Sequence, residues 1–162
     1  MTRPDVLTGN FKYDKAYRYF TTSVEKVENR SHNLRVLLRD YVRVWLPLRL
    51  RPGDKLLDVG SNIGTLGHFL RFSGIRVTGI DLNLDAVRAG RNIYGKERMN
   101  LNFVADGRSL PFKENCFDAI VSQDVFEHLP DKKGAVLVLE EMGRVLKSDR
   151  GKMVHKITDL ED

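Results

Sequence analysis

The sequence predicts an α/β fold built on a mostly parallel sheet. Five short apolar runs, at 55–59, 75–80, 101–105, 117–122 and 152–157, have the length and composition of strands. Helix-period stretches at 65–72, 84–95 and 132–146 separate them, and a strand–helix–strand connection sets its two strands parallel. The first run also leads straight into a glycine-rich loop that opens a helix, an arrangement that places ligands at the carboxyl edge of such sheets.

Length and composition agree with one such domain. A chain of 162 residues can bury a sizeable core, and 41% apolar with 30% charged residues argues against disorder. One cysteine, Cys116, permits no intramolecular disulfide and no cysteine-rich zinc site. No apolar run has the length of a signal-peptide core or a membrane span, so a soluble, cytoplasmic protein is expected. The net charge of +5 is uneven: through Lys55 there are 12 basic and 6 acidic residues, and after it 15 and 16. The surplus therefore lies in the N-terminal third.

The elements follow in order. Residues 1–11 read as a mobile arm. A helix is predicted over 13–28, with Tyr13, Tyr17 and Phe20 or Val24 on one face. In a second helix Leu34, Leu37, Leu38, Tyr41, Val42 and Trp45 recur at helical spacing. Arg35, Arg39 and Arg43 form a ridge opposite them, and Pro47 should end the helix. Arg51-Pro52-Gly53-Asp54 marks a turn, after which the βα texture begins. Residues 1–50 are read as a helical cap on the same domain, and 51–162 as the α/β body.

The informative stretch runs Leu56-Leu57-Asp58-Val59-Gly60-Ser61-Asn62-Ile63-Gly64-Thr65-Leu66-Gly67. Glycines there let the backbone turn sharply and approach a small molecule closely. The dinucleotide fingerprint G-x-G-x-x-G fails, because Asn62 and Thr65 stand at its second and third glycines. A P-loop fails as well, with no G-K-[ST] in place. Two carboxylates add chemistry at the same edge. Asp81 ends the second strand, where an acidic group can accept hydrogen bonds from both hydroxyls of a ribose. Asp106-Gly107 ends the third, where a carboxylate suits an exocyclic amine.

On these residues the chain resembles the class I S-adenosylmethionine-dependent methyltransferases, especially their small-molecule branch. Asp58, Gly60 and Gly64 match the family's D-x-G-x-G-x-G, with Asn62 in place of the middle glycine. Leu110-Pro111-Phe112 with Cys116 to Val121, the stretch Gln123 to Leu129, and Met142 to Leu146 followed by Gly151 resemble further family passages. The resemblance implies a three-layer, Rossmann-like fold with sheet order 3-2-1-4-5 and S-adenosylmethionine as cofactor. It implies that Asp58, Gly60, Ser61, Asn62 and Gly64 form the cofactor loop and that Asp81 holds the ribose. Leu82 would lie on the adenine face, Asp106 would meet the adenine amine, and Gly107 and Arg108 would flank the ring. Gln123 would line the methionine end.

Methyl transfer from a sulfonium is a near in-line displacement, so the protein must align the reactants and exclude water. His128 is the candidate base, since neutral imidazole exists near pH 7; a structural role in its loop is the alternative. Glu127 and Asp124 could orient a substrate amine or cap the next turn. His32, His68, His128 and His155 lack metal-ligand spacing, so no metal is expected, and Asp159, Glu161 and Asp162 read as a solvated tail. Cys116 reads as a semi-buried thiol without an activating partner.

The expected function is methyl transfer to a small molecule. RNA or protein methylation guided by the basic helix, and cofactor binding without turnover, are the alternatives. The arginine ridge, with Arg30, Arg49 and Arg51, is read as a solvated face rather than a nucleic-acid or anionic-ligand surface, because Tyr41 and Trp45 do not interleave with it. Tyr13, Tyr17, Tyr19 and Phe20 serve as core or as lid. The family usually continues past strand five into two more strands, whereas this chain stops at Asp162, so a minimal version or a fragment is expected. Strand five should then be an edge, unless a homodimer or partner covers it.

Overall fold

The computed structural model describes residues 46–94 and 102–156, all within the unit spanning Tyr41–Asp162. The two N-terminal helices expected from the sequence, the aromatic lid candidates, the arginine ridge and the acidic tail lie outside the described residues.

Five strands form one parallel sheet: β1 (Lys55–Val59), β2 (Arg76–Asp81), β3 (Asn102–Val104), β4 (Ala119–Gln123) and β5 (Lys152–Lys156), in the order β3-β2-β1-β4-β5. The expected order holds. β1 is central, pairing Leu56 with Val77 on one side and with Ala119 on the other. Its sequence Lys-Leu-Leu-Asp-Val is buried at every position after Lys55, as a strand covered on both faces requires. Alternation sends Leu57 and Val59 into a cluster with Ile120, Val138, Met142 and Val145, and sends Leu56 and Asp58 to the opposite face.

Three helices cross over: α1 (Thr65–Phe69), α2 (Leu84–Tyr94) and α3 (Lys132–Val145). α1 is three residues shorter than the sequence predicts. Arg71 Nη1 donates to the His68 carbonyl at 2.7 Å and Ser73 Oγ to that of Leu70 at 2.6 Å, so side chains take the carbonyls that a longer helix would use. α2 is capped by Asn83, whose Oδ1 accepts from the amides of Asp85 and Ala86, and α3 by Asp131, which accepts from Gly134 N.

β4 starts two residues later than predicted. The amides of Cys116 and Phe117 both donate to the Val145 carbonyl, which draws this stretch to the end of α3, and Phe117 makes a separate bridge with Leu146. A 3-10 turn at Leu46–Leu48 buries Leu48 and receives a hydrogen bond from Lys152 Nζ on β5. Another follows β4 at Phe126–His128, where no element is predicted.

Candidate functional site

The residues singled out from the sequence gather at the carboxyl edge of the sheet. After β1 the chain passes through three left-handed residues, Gly60 (φ 75°), Asn62 (φ 53°) and Gly64 (φ 80°). Asn is among the few side chains that tolerate this region, so it stands at the position of a glycine without breaking the turn. The amides of Gly60 and Ser61 both donate to the Ile80 carbonyl at 2.9 Å, pinning the loop to the end of β2. A side chain at Gly60 would run into Val125 in the segment after β4, so these two loops meet in close contact.

Asp81 is the hub. Its Oδ2 accepts from Asn62 N at 2.8 Å and its Oδ1 from Asn83 N at 2.7 Å. Burial raises its pKa, and these two backbone bonds oppose the rise. Each oxygen takes one amide and keeps further lone pairs. Leu82 next to it is 56% exposed, an apolar side chain displayed rather than packed.

Beneath the loop lies a support that sequence reasoning did not find. Ser61 Oγ donates to Asn102 Oδ1 at 2.7 Å, and Asn102 Nδ2 donates to the Asn62 carbonyl at 3.2 Å. Both Ser61 and Asn102 are buried, and Gly79 leaves the room they occupy. A polar residue inside the short apolar run of β3 was the available signal. Asp58 sits deep beside this assembly, its pKa pushed up to about 7 by burial and then by the charge of Asp81.

Asp106 is placed differently from a bare acceptor. Its Oδ1 accepts from Arg108 N at 2.9 Å and Nε at 3.0 Å, and its Oδ2 from Nε at 3.0 Å and Nη2 at 2.6 Å. The Arg108 hydrogen bonds hold the carboxyl below its ordinary pKa. Gly107 lies over the end of β1, where an added Cβ would be 3.5 Å from Val59. The loop that follows is clamped from α3: Glu141 accepts from Leu110 N at 2.6 Å, and Arg144 donates to the carbonyls of Phe112 and Leu110.

Gln123 ends β4 half-buried, and Asp124 after it turns left-handed (φ 54°), with its amide on the Lys156 carbonyl and its carboxylate 3.7 Å from Lys156 Nζ. Glu127 is half-buried, whereas His128 is exposed at the end of the 3-10 turn. His155 on β5 supports that turn: its Nδ1 is 2.7 Å from Ser122 Oγ, and its ring meets Phe126 edge-on. Burial lowers the His155 pKa. His68 stacks on Tyr94, and burial pushes the half-buried Cys116 thiol up. Among the described residues no group of three or more His, Cys, Asp or Glu is arranged to hold a metal ion.

A family model described as a methyltransferase domain matches residues 57–154. The chain belongs to this family. A cycloartenol-C-24-methyltransferase of Arabidopsis thaliana is 39% identical over 106 residues, covering 63% of the chain and 31% of that relative. A demethylmenaquinone methyltransferase of Renibacterium salmoninarum is 30% identical over 153 residues, covering 94% of the chain and 58% of that relative. The chain thus spans less than two thirds of each. Among solved structures, a protein of Pyrococcus horikoshii OT3 superposes with a TM-score of 0.66 at 28% identity, over 84% of this chain and 56% of that one. A SAM-dependent methyltransferase of Methanosarcina mazei gives 0.55 at 30% identity, over 60% and 50%. The methyltransferase fold spans the glycine loop, Asp81 and the post-β4 turn alike.

Proposed function

We propose that this chain binds S-adenosylmethionine and transfers its methyl group to a small-molecule acceptor. The observation that carries the reading is the left-handed Gly60–Asn62–Gly64 loop tied by its Asn62 amide to the Asp81 carboxylate. The residues fit such a cofactor on a second ground. Asn62 Oδ1 is buried without a hydrogen-bond partner among the described residues, and a ligand that brings an amine or hydroxyl relieves that cost.

In this reading Asp81 accepts the ribose hydroxyls on the lone pairs its two backbone bonds leave open, and exposed Leu82 covers one face of the adenine. Gly60 and Gly64 let the backbone come close to the ligand, while Ser61 and Asn102 keep the loop from moving. When bound, the cofactor supplies an electrophilic methyl carbon on a sulfonium. The protein's share is alignment and exclusion of water. Gln123 lines the methionine end, and Asp124, Glu127 and His128 stand on the segment where an acceptor would arrive. His128, exposed at the turn, is the residue that would take a proton from a hydroxyl or amine acceptor.

The relatives' names cover sterol, quinone and amine acceptors, as in the phosphoethanolamine N-methyltransferase of Triticum aestivum. Calorimetric titration with S-adenosylmethionine and S-adenosylhomocysteine tests the reading. Saturable one-to-one binding, weakened at least tenfold in Asp81→Ala, is expected. No detectable binding to the wild type would refute it. Methyl release over a sterol, a naphthoquinol and an ethanolamine-type acceptor then separates enzyme from binder.

A further inference from the structure

We propose that Arg108 is a latch on the adenine end of the cofactor site, holding the Asp106 carboxylate closed until an exocyclic amine displaces it. The proposal rests on the cofactor reading above and adds a device to it.

The geometry is a count of acceptor sites. An ionised carboxylate offers about four lone-pair sites on its two oxygens. Among the described residues Asp106 receives four donor contacts, two on each oxygen, and all four come from Arg108: its backbone amide, Nε twice, and Nη2. A ligand amine arriving at this carboxylate meets no open site. Asp81, at the end of the neighbouring strand β2, is built the other way, with one backbone amide on each oxygen and, among the described residues, no arginine or lysine ion pair upon it. The sheet thus presents one open carboxylate and one shut one.

The shut one can open. Of its four contacts, the backbone amide belongs to the turn itself and stays. The remaining three belong to a side chain that is 43% exposed, on a carboxylate that is 32% exposed. Such a pair is screened by solvent and weak, so an incoming donor can exchange with it without leaving a buried charge unpaired. The guanidinium swings into water, and the carboxylate trades one charged donor for a neutral one. Arg108 therefore sets the affinity for amine-bearing ligands by competing with them. It discriminates nothing against a ligand lacking that amine, which can bind with the latch closed.

Arg108→Gln tests this, with two probes that differ only at the purine 6-position: S-adenosylhomocysteine, which carries the amine, and its 6-deamino purine analogue, which carries hydrogen there and leaves N1 an acceptor. The variant should bind the first about two- to fivefold tighter than the wild type, the gain that loss of a part-exposed ion pair allows. It should bind the second no tighter. In an Asp106→Asn background, adding Arg108→Gln should no longer change affinity for the amine-bearing probe, because the carboxylate that the latch closes is gone. Unchanged or weaker binding of S-adenosylhomocysteine by Arg108→Gln overturns the latch while leaving the cofactor reading intact, as does equal tightening of both probes. Failure of both probes to bind the wild type and the variant overturns the cofactor reading and the latch with it.

Discussion

At the scale of single residues, Asn62 joins two demands that a glycine would meet only in part. Its backbone is left-handed at φ 53°, its amide bonds Asp81, its carbonyl accepts from Asn102, and its Oδ1 is buried without a partner among the described residues. The backbone and side-chain roles separate by substitution. Asn62→Gly keeps the left-handed turn and both main-chain bonds, so its Tm should stay close to that of the wild type. Asn62→Ala should lose about 1 kcal/mol of stability, because a Cβ without a polar group to compensate is strained there. Both variants delete the Oδ1 acceptor and should weaken S-adenosylhomocysteine binding about five- to tenfold, the value of one buried hydrogen bond. Calorimetry beside thermal melts reads both effects. An Asn62→Gly variant that binds as tightly as the wild type would confine Asn62 to shaping the loop.

At the scale of elements, two helix glycines carry opposite expectations that helix propensity alone does not distinguish. Gly143 in α3 faces open space, since an added Cβ would meet nothing within 4 Å. Gly143→Ala should therefore stabilise the protein by about 0.5–1 kcal/mol, the ordinary gain for replacing a mid-helix glycine. Gly90 in α2 lies against the loop, and an added Cβ would strike the Ile63 carbonyl oxygen, a backbone atom that cannot swing aside. Gly90→Ala should lower the Tm and cofactor affinity together, because the helix can yield only by shifting the glycine loop. Urea melts of the two variants, with opposite signs of change, check this. The elements themselves were legible where one signal dominated: the apolar run of β1 and the periodicity of α3 sit where the sequence places them. The misplaced ends share a cause. α1 stops early because Arg71 and Ser73 reach back to its carbonyls, and β4 starts late because Phe117 bonds to the end of α3. Those are side-chain and long-range contacts, invisible to a local pattern.

At the scale of the whole molecule, the carboxyl edge was legible because Asp58, Gly60, Asp81 and Asp106 recur at strand ends, whereas the partners of Asn102 and the Arg108 clasp on Asp106 were not, since pairing across strands and within turns leaves no periodic mark. The same carboxylates make stability depend on pH in two opposed ways. Asp58 has its pKa raised to about 7 by burial and then by Asp81, and Asp81 is raised by burial too. In the unfolded chain such groups ionise near 3.8, so between that pH and about 7 the unfolded state gives up protons that the folded state keeps. Their contribution is full at low pH and is lost as pH rises toward 7. Asp106, Asp118 and Glu141 run the other way. Their pKa values are lowered, chiefly by the Arg108 hydrogen bond in Asp106 and the Arg144 hydrogen bond in Glu141, while in Asp118 burial is outweighed by Lys147 and the Lys55 amide. Their contribution is present above the ordinary carboxylate range and is lost as acid titrates the folded state. Asp58→Asn isolates the first set, because asparagine keeps the shape of the protonated acid and cannot ionise. The variant and the wild type should melt at similar temperatures near pH 4, diverge as pH rises, and hold a constant gap above about pH 7, with the variant the more stable by on the order of a few kcal/mol at most. Melting both proteins at about pH 4, about pH 6 and about pH 8 measures that gap. A gap of the same size at every pH would show that Asp58 does not titrate in this range, and the buried carboxylate beneath the glycine loop would then be ionised throughout.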